Sequence, residues 1–143
     1  MGSDNRPVPD VEGAVAAARE FSDTIILVGD RDKIAAQLAL HHTAGLSIEV
    51  VAAEDIIDMT DVPSIVARSK PGSSMHVGMN LVKEGSADAF VTCGNTGAAL
   101  AVATLQALKR IPGVSRPALT TLLSVSGHRW ILLDIGANAD CKP

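Results

Sequence analysis

The chain has 143 residues, 47% of them apolar, which is enough for one domain with a buried core. A net charge of -4 and an aromatic content of 2% argue against a nucleic-acid-binding module, which needs a basic face or a stacking platform. No apolar run is long enough to cross a bilayer, the first residues lack a signal peptide's apolar stretch, and Cys93 and Cys141 are too few for a disulfide framework or a four-ligand zinc site, so a cytoplasmic protein with reduced thiols is expected.

Val11 to Phe21, rich in alanine, reads as a helix that Asp10 is placed to cap. Thr24 to Val28 is a short β-branched run closed by Gly29-Asp30, the pattern of a strand buried on both faces. Asp30 or Asp32 then opens a helix carrying Ile34, Leu38 and His41, which Gly45 ends. Ser47 to Ala52 is a second strand, and Asp55 to Asp61 an acidic surface segment. Pro63 starts a short helix to Arg68. Ser73 or Ser74 caps the next, which carries core-facing Met75 and Met79 and runs to Gly85. Ala87 to Thr92 is expected to be a third strand, turning at Gly94-Asn95-Thr96-Gly97 directly into a long helix that ends near Arg110. Ala118 to Leu123 and Arg129 to Asp134 read as strands four and five. No helix is evident between those two, so an antiparallel hairpin is the alternative there.

Strands alternating with helices call for an α/β fold with a mostly parallel sheet and helices on both faces, here one domain over residues 1–143. In such sheets ligands collect at the carboxyl ends of the strands. Three polar segments are therefore candidates for the chemistry.

Gly94, Asn95, Thr96 and Gly97 lie between a strand and a helix. Glycines permit close backbone approach, and a helix start offers unpaired N–H groups to an oxyanion or phosphate. The same four residues read equally well as a tight turn with Asn95 or Thr96 as an ordinary cap. Asn138, Asp140 and Lys142 follow the fifth strand and place an amide, a carboxylate and a cation in one loop, able to offset charge on phosphate or on a developing oxyanion. A polar surface loop is the plainer reading. At the N-terminus Asp4 is placed to orient a neighbouring group and Arg6 to bind phosphate bidentately, against the usual fate of first residues, which is to fray.

Cys93 reads as a small buried residue at a strand end rather than a nucleophile. His41, His42, His76 and His128 read as surface or capping residues, with no metal-binding spacing. Lys109, Arg110 and Arg116 form a small basic cluster, best explained as charge at a helix C-terminus and alternatively as a dock for an acidic partner.

In order along the chain, Met1-Gly2-x-Asp4-x-x-Pro7, Ile26 to Asp30, Ser73-Ser74-Met75, Leu81 to Gly85, Gly94 to Ala98, Arg110 to Gly113, Arg116 to Leu119 and Asp134 to Pro143 together resemble the phosphate acyltransferase family PlsX, the acyl-ACP:phosphate transacylases. The resemblance covers nearly the whole chain. It implies a bacterial enzyme of phospholipid synthesis that moves a fatty acyl group from acyl carrier protein to inorganic phosphate. The acyl phosphate formed would feed a membrane glycerol-3-phosphate acyltransferase. It also implies a three-layer α/β/α fold like that of isocitrate and isopropylmalate dehydrogenases, a homodimer working at the membrane surface, and no required metal or organic cofactor. Family members usually carry a strand before the Met-Gly-x-Asp signature and continue well past Asp-Cys-Lys-Pro, so the chain is expected to be an N-terminal fragment. Many relatives have alanine where Cys93 stands, which also argues against a covalent role for that residue.

The expected chemistry follows from the substrates. A thioester is already activated, so the enzyme must chiefly hold phosphate beside the carbonyl and stabilise the tetrahedral oxyanion. Gly94 to Gly97 would cradle phosphate, Asn138 and Lys142 would bind phosphate or the oxyanion, and Asp4 would orient neighbours, with Arg6 and Asp140 contributing to binding. This scheme requires the turns after strands three and five to converge. The alternatives are a phosphate acetyltransferase using acetyl-CoA and a non-catalytic carrier-protein scaffold. A nicotinamide dehydrogenase is disfavoured because no Gly-x-Gly-x-x-Gly follows any strand.

Overall fold

The computed structural model describes residues 4–108, 111–114 and 117–134. The chain divides into two compact units, Met1–Lys109 and Arg110–Pro143.

In the first unit, helix α1 (Val8–Phe21) buries Val11, Ala14, Val15 and Ala18. Their spacing of three and four residues puts them on one face. Pro7 occupies the N-cap position without a side-chain cap bond, so the helix starts ahead of Asp10, which lies within its first turn. Proline just before or within the first turn is favourable because its missing N–H would have had no helical partner. Strand β1 (Ile25–Gly29) pairs in parallel with β2 (Ile48–Ala52), in a register running from Ile25 opposite Ile48 to Gly29 opposite Ala52. Helix α2 (Arg31–Leu38) makes the crossover that a parallel pair requires. Asp30 caps it by accepting a bond from the Lys33 N–H. The helix stops before His41, short of the expected end at Gly45. One core lies here: Val11, Ala14, Val15, Leu27 and Ile34 are buried together, with Ile25, Leu38, Leu46, Ile48 and Val50 packed around them.

The second core of the same unit is built from helices. Helix α3 (Pro63–Ser69), α4 (Ser74–Lys83) and α5 (Thr96–Val102), which continues as a π-helical turn Ala103–Ala107, surround Ile57, Val66, Ala67, Met75, Met79, Ala98, Val102 and Ala107. Met75 and Met79 face this core as their spacing predicts. A single parallel bridge, Asp55 to Ser73, ties the segment after β2 to the start of α4.

The expected third strand is absent. Residues 87–92 form no ladder. The N–H groups of Ser86 and Ala87 instead bond back to the Leu81 carbonyl, and the Phe90 ring lies against Gly78 of α4 so closely that a Cβ there would come within 2.3 Å of it. Alternating apolar residues alone do not make a strand; a neighbour must supply the hydrogen bonds, and this segment folds onto its own helix. Val91 is left 87% exposed.

In the second unit, β3 (Thr120–Val125) and β4 (His128–Leu133) form an antiparallel hairpin, the alternative left open by the missing intervening helix. Ser126 and Gly127 both have positive φ, as a tight two-residue hairpin turn needs. The described residues are therefore α/β, with one parallel pair and one antiparallel pair. Among them no helix is long and apolar enough to cross a membrane.

Candidate functional site

The glycine turn, the N-terminal arginine and the acidic segment after β2 meet at one place in the first unit. The meeting point is residues 56–61.

Asn95 is the N-cap of α5: its side-chain oxygen accepts the Ala98 N–H at 3.0 Å. Its Nδ2 group points the other way and donates toward the carbonyls of Asp58 (3.3 Å), Met59 (3.2 Å) and Asp61 (3.0 Å). Asn95 is only 8% exposed. Two N–H groups shared among three carbonyls leave this amide nothing to offer a ligand. Asn95 thus fastens the acidic loop to the helix start. Of the two readings of the turn, the cap is present at Asn95.

The other members of the turn divide by exposure. Gly94 is buried, and its N–H is taken by the Thr92 hydroxyl at 3.1 Å. Gly97 lies against Pro63, whose Cγ would sit 2.9 Å from an added Cβ, so glycine here allows α3 and α5 to pack closely. Thr96 is exposed at the mouth of the turn.

Arg6 reaches the same loop. Its Nη1 donates to Asp58 Oδ1 at 2.8 Å, with about a third of the arginine side chain and half of the aspartate side chain open to solvent. Asp61 receives three interactions. Its Oδ2 accepts from Lys70 Nζ at 2.6 Å and from the Asp58 N–H at 2.9 Å, while its carbonyl accepts from Asn95. Lys70 Nζ also donates to the Ile56 carbonyl at 2.8 Å. The hydrogen bond from Lys70, then that from the Asp58 backbone, holds the Asp61 carboxyl below its ordinary value, against a smaller opposing effect of burial. None of Asp58, Asp61 or Lys70 stood out in the sequence, because each looks like an ordinary surface charge. The one available signal was the density of acids between Asp55 and Asp61 facing a lysine nine residues on.

Asp4 is exposed. Asn138, Asp140 and Lys142, Cys141, and the basic residues Lys109, Arg110 and Arg116 lie outside the described residues, and so does the expected convergence of the two turns. Cys93 is exposed, not buried, since the strand it was to end does not form. His76, read from sequence as a surface or capping residue, is 5% exposed and packed in the helical core. Its Nε2–H donates to the Ala67 carbonyl at 2.9 Å, since a carbonyl only accepts. Nδ1 must then accept from the Ser73 hydroxyl, 2.8 Å away. With Ser73 fully buried, this pair is structural.

The family model for the fatty acid synthesis protein family matches residues 1–143, the whole chain. The chain belongs to that family. Among curated relatives, phosphate acyltransferase of Koribacter versatilis is 50% identical over 145 residues, which take in 100% of this chain and 40% of that protein. Phosphate acyltransferase of Geobacter sulfurreducens is 45% identical over 143 residues, covering 100% of this chain and 41% of its own length. The Herpetosiphon aurantiacus protein of the same name is 49% identical over 143 residues, or 99% and 38%. The chain thus spans about two fifths of the length of these relatives. For the family member in hand, the loop at residues 56–61 joins Arg6 to the glycine turn within one unit.

Proposed function

We propose that this chain is part of a phosphate acyltransferase that transfers a fatty acyl group from acyl carrier protein to inorganic phosphate, giving acyl phosphate for phospholipid synthesis. The observation that carries this is identity of 45–50% over the full chain to relatives bearing that name. The surroundings of the glycine turn suit the chemistry. The start of α5 offers backbone N–H groups at exposed Thr96 and Gly97, and the Arg6 guanidinium is held on the adjoining loop. A phosphate dianion would take both.

In this reading the turn and Arg6 bind phosphate, while Asn138 and Lys142 stabilise the tetrahedral oxyanion. Asp140 assists binding and Asp4 orients its neighbours. The phosphate oxygen attacks the thioester carbonyl, the oxyanion collapses, and the carrier thiolate leaves. A thiolate departs readily, so positioning and charge stabilisation suffice without a strong base. The three-layer α/β/α architecture, the homodimer, the cytoplasmic location and work at the inner membrane surface beside a glycerol-3-phosphate acyltransferase belong to the same proposal.

The test is acyl-phosphate formation by a protein of the relatives' full length that contains this chain. Acyl carrier protein thioester should support turnover with inorganic phosphate, and acetyl-CoA should not. Lys142→Ala should lower kcat by about 100-fold or more, the usual loss for an oxyanion-stabilising group. Parental turnover in that variant would remove Lys142 from the mechanism, and preference for acetyl-CoA would overturn the substrate class.

A further inference from the structure

The Lys70–Asp61 pair lies apart from the expected ligand groups, yet its side-chain bonds fix the loop that leads to them. Lys70 stands at the C-cap of α3. Its ammonium closes the loop 56–61 on itself by holding the Ile56 carbonyl at one end and the Asp61 carboxylate at the other. The carboxylate in turn fixes the Asp58 N–H, and the Asp61 N–H bonds back to the Asp58 carbonyl. The loop so closed directs the carbonyls of Asp58, Met59 and Asp61 at one point, and the Asn95 amide fills that point. Asn95 then sets the first turn of α5 through Ala98. From the same loop the Asp58 carboxylate holds Arg6.

Three converging carbonyls repel one another unless a donor sits among them, and a loop of this length has no secondary structure to keep them aligned. The Lys70–Asp61 pair, with side chains 31% and 25% exposed, is sheltered enough for its geometry to be definite. By contrast the Lys33–Asp30 pair, with the lysine 64% exposed, joins neighbours within one helical turn and orders nothing beyond it.

We propose that Lys70 and Asp61 are positioning residues for the anion site at Gly94–Gly97: by closing the 56–61 loop they aim the carbonyls that grip Asn95, and so orient both the start of α5 and Arg6. Neither residue touches the substrate. The proposal rests on the reading that this turn holds phosphate, and it deepens that reading by assigning the order of the turn to an ion pair on a different element.

The test uses a ¹⁵N-labelled protein of the relatives' full length that contains this chain, with inorganic phosphate as the probe. It follows two quantities by NMR: exchange protection of the Ala98 backbone and Asn95 side-chain amides, and the phosphate dissociation constant read at Thr96 and Gly97. Lys70→Met should lower that protection about tenfold and weaken phosphate several-fold, as loss of a charge-assisted bond would. Amide protection across α4 should stay at the parental level. Lys70→Arg, which keeps the charge and a donor for each acceptor, should restore both quantities, and Lys33→Met should change neither. Unchanged protection and affinity in Lys70→Met would overturn the proposal. So would equal loss across α4, or failure of the arginine to rescue, since either marks a purely structural lysine. A parental chain that ignores phosphate, while Lys70→Met still loosens Ala98, would sink the phosphate reading and leave the coupling standing.

Discussion

At the scale of single residues, polar groups near the glycine turn are occupied with one another. Asn95 shows why its role was only half legible: an asparagine between two glycines before an alanine-rich run announces a cap, but nothing local reveals three carbonyls arriving from residues 58–61. The burial of His76 is hidden in the sequence for the same reason, since its partners Ala67 and Ser73 become significant only once α3 and α4 are packed. Asp61 gives a pH prediction. Its carboxyl is lowered below 3.8 by Lys70 and the Asp58 N–H, so the folded form binds a proton less readily than the unfolded chain. Its stabilising contribution is complete above that ordinary value and is lost as pH falls through the lower, folded one. Acid titration of Lys70→Met should therefore show a shallower loss of stability below about pH 4 than the parent; superimposable acid limbs would contradict the assignment. Gly78 gives another. A methyl group there meets the Phe90 ring, so Gly78→Ala should cost about 1–3 kcal/mol in denaturant unfolding by forcing the ring aside.

At the scale of elements, caps and breakers were the most readable signals. Asp30, Ser73 and Asn95 each precede a helix and each accepts the N–H three residues on, as their side chains suggest. Pro63 opens α3 as expected. The strand at residues 87–92 was not readable, because its fate was decided by a contact between Phe90 and a glycine one helix earlier. Ser73 carries two tasks at once: it caps α4 and donates to His76 Nδ1. Ser73→Ala should remove the cap and leave a buried ring nitrogen unpaired, costing about 2–4 kcal/mol in all. That is more than a cap alone is worth, and a loss below about 1 kcal/mol would show the histidine bond to be dispensable.

At the scale of the whole molecule, the two units differ in how well they conceal apolar surface. The first has two cores. The described residues of the second include a hairpin whose opposed pairs, Leu122 with Ile131 on one face and Leu123 with Trp130 on the other, are all more than 40% exposed. Such a strand pair is marginal by itself. Trp130 is the one tryptophan of the chain, 60% exposed. Its emission should resemble that of free indole in water and be readily quenched by acrylamide, and a blue-shifted, protected emission would show the hairpin to be covered. The antiparallel arrangement was legible as an alternative, since no helical pattern separates the two strands. A larger parallel sheet was not realised among the described residues, because pairing depends on neighbours that no local pattern supplies. The parallel ladder among the described residues bears on how an anion would arrive. Its strands end at Gly29 and Ala52, and the chain continues from them into Asp30 and into Glu54-Asp55. The carboxyl ends of the strands, where open α/β sheets ordinarily receive their ligands, are here followed by carboxylates, in a chain already negative overall. A phosphate approaching those carboxylates would be pushed off, so among the described residues its retention would depend on the short-range pull of Arg6 and the amides of α5.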